Sequence, residues 1–267
     1  MKLLSCLIIT VALIATSQAQ TPSVAEQVKQ ELAEAARVYK QGNFVEAQIH
    51  SEKALLLDPQ NKTAPYFVAR SLHAQYRPGE KTTDNVVKAR ETIIAYQRIL
   101  ERVPDDDEAY KAIAFLYEAL KEKELLRNWI LQRAVNVSLA NDKRAQAFVI
   151  LASKDWECSF DITEQPANKV TTVRKNKAQV SYRMPKDRSE FELAKECANR
   201  GMEMVNMAIT LMPEYDSAWS YKANILLELM KLAEMAGDLQ QKRALEPQYT
   251  DAYTEATRLS KRAESNP

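Results

Sequence analysis

A proline-led pattern occurs four times in this chain and indicates an internal repeat. In each copy an alanine follows five residues after the proline, and in three copies an aromatic residue comes next. Pro213 and Pro247 lie 34 residues apart, and Pro59 and Pro104 lie 45 apart, which adds an eleven-residue insertion to the same period. A fixed period of this length is typical of proteins built from stacked structural repeats.

The segments around these prolines have the spacing of amphipathic helices. Residues recur at intervals of three, four and seven, which places each set on one helical face. Small residues at Ala47 and Ala54 let two helices approach closely, and that helix should stop at Asp58, before Pro59. The two clearest sets are Tyr110, Ile113, Ala114 and Tyr117, and Trp219, Ala223 and Leu226.

Glycine is scarce, and this excludes several classes of protein. Only four of 267 residues are glycine, where about 7% is usual. No two are close, so the chain has neither a G-x-G-x-x-G nor a G-x-x-x-x-G-K-[ST] phosphate loop, and no G-x-S-x-G nucleophile elbow. Turn-rich β-sandwiches and barrels are also disfavoured. The balance of 37 Lys+Arg against 36 Asp+Glu argues against a nucleic-acid partner.

These residues resemble the tetratricopeptide repeat family, whose unit is a 34-residue helix–turn–helix. The first unit carries the early aromatic, the small residues and the closing proline at Gly42, Phe44, Ala47, Ala54 and Pro59. The resemblance implies an all-α fold, a right-handed α-solenoid of about five helix–turn–helix units over residues 20–267. Stacked units of this kind form an extended concave surface that binds other chains.

The second and fourth units depart from this pattern. An insertion near Arg77–Asn85 lengthens the second unit. In the fourth, β-branched and aromatic residues flank a short polar turn, which predicts a β-hairpin of residues 169–174 and 178–183 within an insertion of about 157–188. The hairpin region is rich in basic residues. It is interpreted either as a contact patch for an anionic partner or as a solvated loop.

The C-terminal end is expected to hold three helices. A long helix should run from about Asp216 to Ala236 and end at Gly237. A short helix over residues 239–245 and a final amphipathic helix over residues 250–263 should follow, separated near Pro247. On the final helix, the pattern places Tyr253, Ala256 and Leu259 towards the core.

The first 19 residues have the form of a secretory signal peptide. Lys2 precedes an apolar stretch of residues 3–15, and small residues at Ser17 and Ala19 predict cleavage after Ala19. The stretch is too short to span a bilayer as a helix, although an uncleaved anchor is the alternative. An exported chain in the periplasm or the extracellular space is expected, with no membrane insertion after cleavage. The scarce glycine and the export signal together resemble those of bacterial envelope repeat proteins, and a eukaryotic secreted protein is the alternative.

Two cysteines, Cys158 and Cys197, remain after that cleavage. In an oxidising compartment an even pair predicts a disulfide, and two separate buried thiols are the alternative. No His lies near either cysteine in sequence, so a metal site is not expected.

The repeat resemblance places the first helix of each unit on the concave face. On each of these helices, the residues about one position along from the core-packing row form a second row. This second row is predicted to contact a bound segment. For each aromatic residue the alternative is core packing against the second helix, and His73 is predicted to be a partly buried polar residue rather than a ligand. The predicted contacts are Leu32, Tyr39, Tyr66, Arg70, His73, Lys111, Phe115, Glu118, Ser153 and Trp156.

The sequence therefore predicts a non-enzymatic scaffold of the cell envelope or secreted space that binds a peptide or protein segment in its groove. The alternative is a structural subunit of an oligomeric envelope complex, with a partner chain in the groove. No cofactor is expected. An enzyme would need a nucleophile, a base and an orienting group within reach of one another, and Cys158 has only Asp155, Glu157 and Asp161 nearby.

Overall fold

The computed structural model describes residues 22–174 and 177–265, which form ten α-helices and one two-stranded sheet. The predicted signal peptide, residues 1–19, lies outside these residues. Among the described helices, none has the length and apolar character needed to cross a membrane. The helices are α1 (Val24–Lys40), α2 (Phe44–Leu57), α3 (Ala64–Gln75), α4 (Thr83–Arg102), α5 (Asp107–Ala119), α6 (Lys123–Val135), α7 (Asn141–Thr163), α8 (Arg188–Leu211), α9 (Asp216–Met235) and α10 (Leu239–Ser265), and the strands are β1 (Lys169–Arg174) and β2 (Lys177–Tyr182).

Consecutive helices of the described chain form five helix–turn–helix pairs, from α1 and α2 through α9 and α10. The helices of the first, third, fourth and fifth pairs pack against each other, and in the second pair His73 of α3 contacts Tyr96 of α4. The all-α prediction of about five units is confirmed, as is the β-hairpin in the fourth. The chain divides into two compact units with the boundary after Ile99, called the N-terminal and C-terminal units below.

In the N-terminal unit, local capping sets where the first helices begin. Ser23 and Glu26 form a capping box at the start of α1. Gly42 has φ +81 in the turn before α2, a conformation that glycine adopts without the steric cost of a side chain. The predicted small residues Ala47 and Ala54 of α2 are fully buried, which confirms their close-packing role.

The insertion of the second unit is closed by one asparagine. The Asn85 side chain accepts a hydrogen bond from the Arg77 N–H and donates to the carbonyls of Arg77 and Glu80, at 2.7–2.8 Å. Asn85 is 7% exposed, so the amide group that makes these bonds is buried. Because α4 already begins at Thr83, the loop is shorter than the sequence predicts.

The core of the C-terminal unit includes three residues of α7, Phe148, Leu151 and Ala152, all of them buried. The helices approach closely at Gly201 of α8. A Cβ built there would lie 3.0 Å from Cδ1 of Ile225, tighter than most side-chain contacts. Glycine at this position therefore permits the contact between α8 and α9.

The hairpin is antiparallel, with Lys169 opposite Tyr182 and Arg174 opposite Lys177. Its second strand begins one residue earlier than the sequence predicts. The insertion also begins later: α7 continues to Thr163, so the non-helical segment starts at residue 164 rather than near 157. The reason is burial, since Ser159 and Thr163 extend the buried face of the helix.

The prediction of a helix break near Pro247 is wrong. Helix α10 runs without interruption from Leu239 to Ser265, with the proline inside it. A proline inside a helix costs about 3 kcal/mol, but Leu245 and Tyr249 on either side both pack against the α9–α10 core. The Pro247 copy of the repeat pattern therefore does not begin a new unit.

The inward face of α10 is also rotated from the predicted one. Ala252, Ala256 and Leu259 are buried, whereas Tyr253 is 59% exposed. The close approach of α10 to α9, beside the buried Ala223, accommodates the small Ala252 instead of the tyrosine ring.

Candidate functional site

Helix α5 exposes the predicted contact row of the C-terminal unit. Asp106 caps its first turn by accepting a hydrogen bond from the Ala109 N–H at 2.8 Å. Its apolar row faces inward, with Ile113 and Leu116 fully buried. The opposite row therefore faces solvent, and Phe115 is 45% exposed there. The row consists of Lys111, Phe115 and Glu118, all exposed.

An ion pair connects this row to the next first helix, α7. Lys154 Nζ lies 3.2 Å from Glu118 Oε1. Ile150, one turn before Lys154, is 39% exposed, just as Phe115 lies about one turn before Glu118. We call these four residues the α5–α7 face: two apolar side chains beside an ion pair of opposite charges.

The predicted contacts on α7 mostly pack against or bond to other residues of the C-terminal unit. The Ser153 hydroxyl donates to the Ile150 carbonyl at 2.9 Å. The Trp156 ring is half-buried and lies 5.0 Å from Phe160 and 6.1 Å from Tyr221 of α9, between ring centroids. Trp156 therefore packs between α7 and α9, as the core-packing alternative expects.

In the N-terminal unit, three predicted contacts are also packing residues. Leu32 packs against the small core cluster between α1 and its neighbours. The Tyr39 ring lies 5.1 Å from Phe44 at the turn between α1 and α2. His73 is half-buried with Nδ1 3.3 Å from the Tyr96 hydroxyl, as predicted. On α3, Arg70 is exposed and Tyr66 is half-buried.

A buried carboxylate that the sequence did not predict lies between three helices. The Asp155 side chain of α7 is 3% exposed and accepts two hydrogen bonds from Arg127 of α6, at 3.0 and 3.1 Å. Arg200 of α8 donates to the same carboxylate at 3.2–3.3 Å and to Cys197 Sγ at 3.3 Å. The two guanidinium groups thus join α6, α7 and α8 beside the predicted disulfide, which is present with the Cα atoms of Cys158 and Cys197 6.0 Å apart.

A second missed network surrounds Lys231 of α9. Its Nζ lies 2.6 Å from Glu228 Oε1 and 2.7 Å from Glu164 Oε1. Glu228 is 1% exposed, and its other oxygen accepts from the Thr163 hydroxyl at 2.6 Å. A sequence signal existed: Glu228 lies on the apolar row of α9, between Ile225 and Leu232, where a charge needs a partner.

The same network attaches the hairpin to the helices. The Tyr182 hydroxyl donates to Glu164 Oε1 at 2.9 Å, and the Tyr182 N–H donates to Glu234 at 2.9 Å. Two of the basic side chains are used locally: Lys169 pairs with Glu164 at 2.6 Å, and Arg183 donates to the Ala167 carbonyl at 2.6 Å. The basic hairpin is therefore partly neutralised by its own attachment.

Burial opposes ionisation of Glu164, but hydrogen bonds from Lys169, Lys231 and Tyr182 outweigh it and lower the pKa of Glu164 from 4.5 to about 2. A carboxyl group with a lowered pKa stabilises the fold above its unfolded pKa, and that contribution is lost as the pH falls through the folded pKa. The free energy of unfolding should therefore decrease between about pH 4.5 and pH 2.

We expect Glu164→Gln to remove this part of the acid sensitivity. At pH 7 the variant should be less stable than the parent, and the difference should shrink as the pH falls from 4.5 towards 2. Urea unfolding at pH 7, 4 and 3 measures it, with the exposed Glu192→Gln as the matched control. A difference that does not change with pH would contradict the assignment.

The described residues define a class of all-α protein: helix–turn–helix pairs, with one β-hairpin between α7 and α8. No family model matches the sequence, and no curated protein matches it. Solved structures with some similarity include MamA residues 41-end from Desulfovibrio magneticus RS-1, at 12% identity, covering 90% of this chain and 98% of that one, with a TM-score of 0.42.

Two further structures are similar at the same level. The TPR2AB domain of yeast Sti1 in complex with an HSP90 peptide has 16% identity, covers 90% of this chain and 86% of that one, and has a TM-score of 0.34. A tetratricopeptide repeat protein from Parabacteroides merdae has 16% identity, coverages of 90% and 93%, and a TM-score of 0.35. Scores this low carry no information on function, so the proposals below depend on this chain's own residues.

Proposed function

We propose that this protein is a non-enzymatic scaffold that binds a peptide or protein segment along the first helices of its units. The observation that carries the proposal is the α5–α7 face, where the 45% exposed Phe115 lies beside the Glu118–Lys154 ion pair. Interfaces concentrate their binding energy in a few aromatic or basic anchors surrounded by polar residues. This face has that composition.

The chemistry of the face specifies what a bound segment should present. An apolar side chain covering Phe115 and Ile150 would remove both from water, at about 25 cal/mol per Å² of apolar area. Lys111, Glu118 and Lys154 at the edge favour charged groups of both signs around that side chain. The proposed ligand is thus a segment with an apolar anchor and mixed flanking charges.

The other predicted contacts divide into two groups under this proposal. Arg70 and Tyr66 are proposed as contacts on the N-terminal unit, where Arg70 is exposed and Tyr66 is half-buried. Leu32, Tyr39, His73, Ser153 and Trp156 hold the first helices in position, because their observed contacts lie within their own units.

We expect Phe115→Ala to weaken partner binding at least tenfold, because a buried aromatic anchor contributes about 1.4 kcal/mol or more. Crosslinking of the mature chain, residues 20–267, in its native fraction would identify a partner, and titration with that purified partner would measure affinity. Leu131→Ala is the matched control, an exposed apolar residue on α6 (37% exposed). Equal weakening in both variants, or none in Phe115→Ala, would move the interface elsewhere.

Export is proposed together with this function. The apolar N-terminal stretch and the small residues at Ser17 and Ala19 support it, and so does the Cys158–Cys197 disulfide, because disulfides persist in oxidising compartments. N-terminal sequencing of the native protein tests the proposal. Cleavage after Ala19 gives a chain beginning at Gln20, and a retained Met1 with free thiols in the native protein would contradict it.

A structural subunit of an oligomeric complex is the second candidate. One observation favours it: α2 has an apolar outer row, with Val45, Ile49 and Leu56 exposed by 57, 47 and 81%. A helix that is apolar on both faces is usually covered on both. Native mass measurement distinguishes the two candidates: a monomer with an accessible Phe115 favours the scaffold, and an obligate complex that protects α2 favours the subunit.

A further inference from the structure

The hairpin leaves the outer edge of its first strand open. The Arg183 N–H donates to the Asn168 carbonyl at 3.0 Å, and in an antiparallel ladder such hydrogen-bonded pairs alternate with pairs whose backbone groups point outward. In this register the outward residues of β1 are Lys169, Thr171 and Val173. Thr171 is exposed and Val173 is 71% exposed. We call the outward N–H and C=O groups of these three residues the β1 edge.

The opposite edge of the hairpin, along β2, is partly covered. Tyr182 also directs its N–H outward, and Glu234 of α9 accepts that hydrogen bond at 2.9 Å. Among the residues that the structure describes, the backbone groups of Thr171 and Val173 on the β1 edge have no such partner. An unpaired strand edge is a template for pairing with another strand.

We propose that the β1 edge pairs antiparallel with the β1 edge of a second copy of this chain. A two-fold axis at Thr171 places this residue opposite itself and Val173 opposite Lys169 of the second copy. Each Thr171 then donates to the other, and each Val173 N–H donates to a Lys169 carbonyl. The pairing ends at Lys169, because its N–H already donates to the Pro166 carbonyl.

Charge favours a second copy in this register. Between Lys169 and Arg174 the edge carries no charged residue or proline, the residues that usually protect an edge strand from pairing. Lys169 keeps its own ion pair with Glu164 at 2.6 Å, and its apolar stem covers Val173 of the second copy. A register displaced towards the hairpin base brings the two Lys169 side chains together, and like charges across strands are destabilising.

The pairing also extends a row of β-branched side chains. Thr171 lies opposite Val180 within the hairpin, and Val180 is 44% exposed. In the dimer the row continues through Thr171 and Val180 of the second copy, across four strands. Two strands alone are marginal in water, whereas a larger sheet is more stable, and β-branched cross-strand pairs contribute to that stability. Because the interface is small, the dimer is weak and transient.

This interface goes beyond the proposed function and is independent of it. The β1 edge belongs to the hairpin, whereas the α5–α7 face belongs to two helices. Phe115→Ala should weaken partner binding without changing dimerisation, and a change at the β1 edge should do the reverse.

Sedimentation of the purified chain at concentrations up to about 0.5 mM, suited to a weak interface, should show a monomer–dimer equilibrium. Thr171→Pro removes an outward N–H and leaves the hydrogen bonds between β1 and β2 in place, which an edge strand tolerates. It should weaken dimerisation by about tenfold or more. Val180→Pro is the matched control, because it removes an outward N–H from the opposite edge, and it should dimerise as the parent does.

Thr171→Cys tests the register, even if Thr171→Pro folds poorly. Directly opposite residues of a hydrogen-bonded pair have Cα atoms about 5.5 Å apart, within the range of a disulfide. Mild oxidation should therefore yield a covalent dimer. Thr172→Cys is the control, because that position lies diagonal to its own copy at about 7–8 Å, and it should crosslink several times less.

A parent that stays monomeric, with no covalent dimer from Thr171→Cys, would overturn the proposal and leave the edge to solvent or to a strand of another protein. Equal dimerisation of Thr171→Pro and Val180→Pro would place the contact on another surface. Equal crosslinking of Thr171→Cys and Thr172→Cys would indicate random collision. None of these results affects the α5–α7 face, whose own test is Phe115→Ala.

Discussion

Lys231→Met should lower the free energy of unfolding by about 3–5 kcal/mol, the usual cost of removing one partner from a buried ion pair. Glu228, 1% exposed, would keep only the Thr163 hydroxyl as a partner and would carry an uncompensated charge. For a domain of this size the loss corresponds to a decrease in melting temperature on the order of 10 °C. Thermal and urea unfolding at pH 7 measure it.

The double variant Glu228→Gln, Lys231→Met should recover part of that loss. With both charges removed, no buried charge is left unpaired, and the variant should be more stable than Lys231→Met alone. Lys242→Met is the control, since its ammonium group also pairs with a glutamate of α9 but is 31% exposed. If Lys231→Met and Lys242→Met lose the same stability, the pair around Lys231 is not effectively buried.

Removal of the disulfide is the second large effect. Replacing both Cys158 and Cys197 by serine should cost about 3–4 kcal/mol, because the bond closes a 39-residue loop and restricts the unfolded chain. The loop contains the hairpin, which alone would be marginal in water. Because the Tyr182 contacts with Glu164 and Glu234 remain, the secondary structure should be retained while the melting temperature falls.

Reductant supplies the control for this prediction. Dithiothreitol should lower the melting temperature of the parent to that of the double serine variant and should leave the variant unchanged. A parent protein whose melting temperature does not respond to reductant, while its thiols become available for alkylation, would contradict a stabilising role for the bond.

The helical pairs were predictable because their signals are local. Helical rows such as Tyr110, Ile113 and Tyr117 identify a face within two turns of chain, and β-branched residues around a polar turn identify the hairpin. At Pro247 the same local signals gave a wrong prediction, a helix break inside α10. A proline usually ends a helix, but here the packing of α10 on both sides of it outweighs that preference. A signal existed, because Leu245, Tyr249 and Ala252 continue one helical row past Pro247.

Local periodicity in the amino-acid sequence predicted which residues share a helical face and where the helices before Pro59 and Gly237 end, and it left Cys158 and Cys197 either paired or as two separate thiols. Tertiary packing sets what each face contacts: Phe115 faces solvent, Tyr39 packs on Phe44, and Glu228 pairs with Lys231 and accepts a hydrogen bond from Thr163. Periodicity is a property of neighbouring residues, whereas burial and ion pairing depend on residues distant in sequence, which only the folded chain brings together.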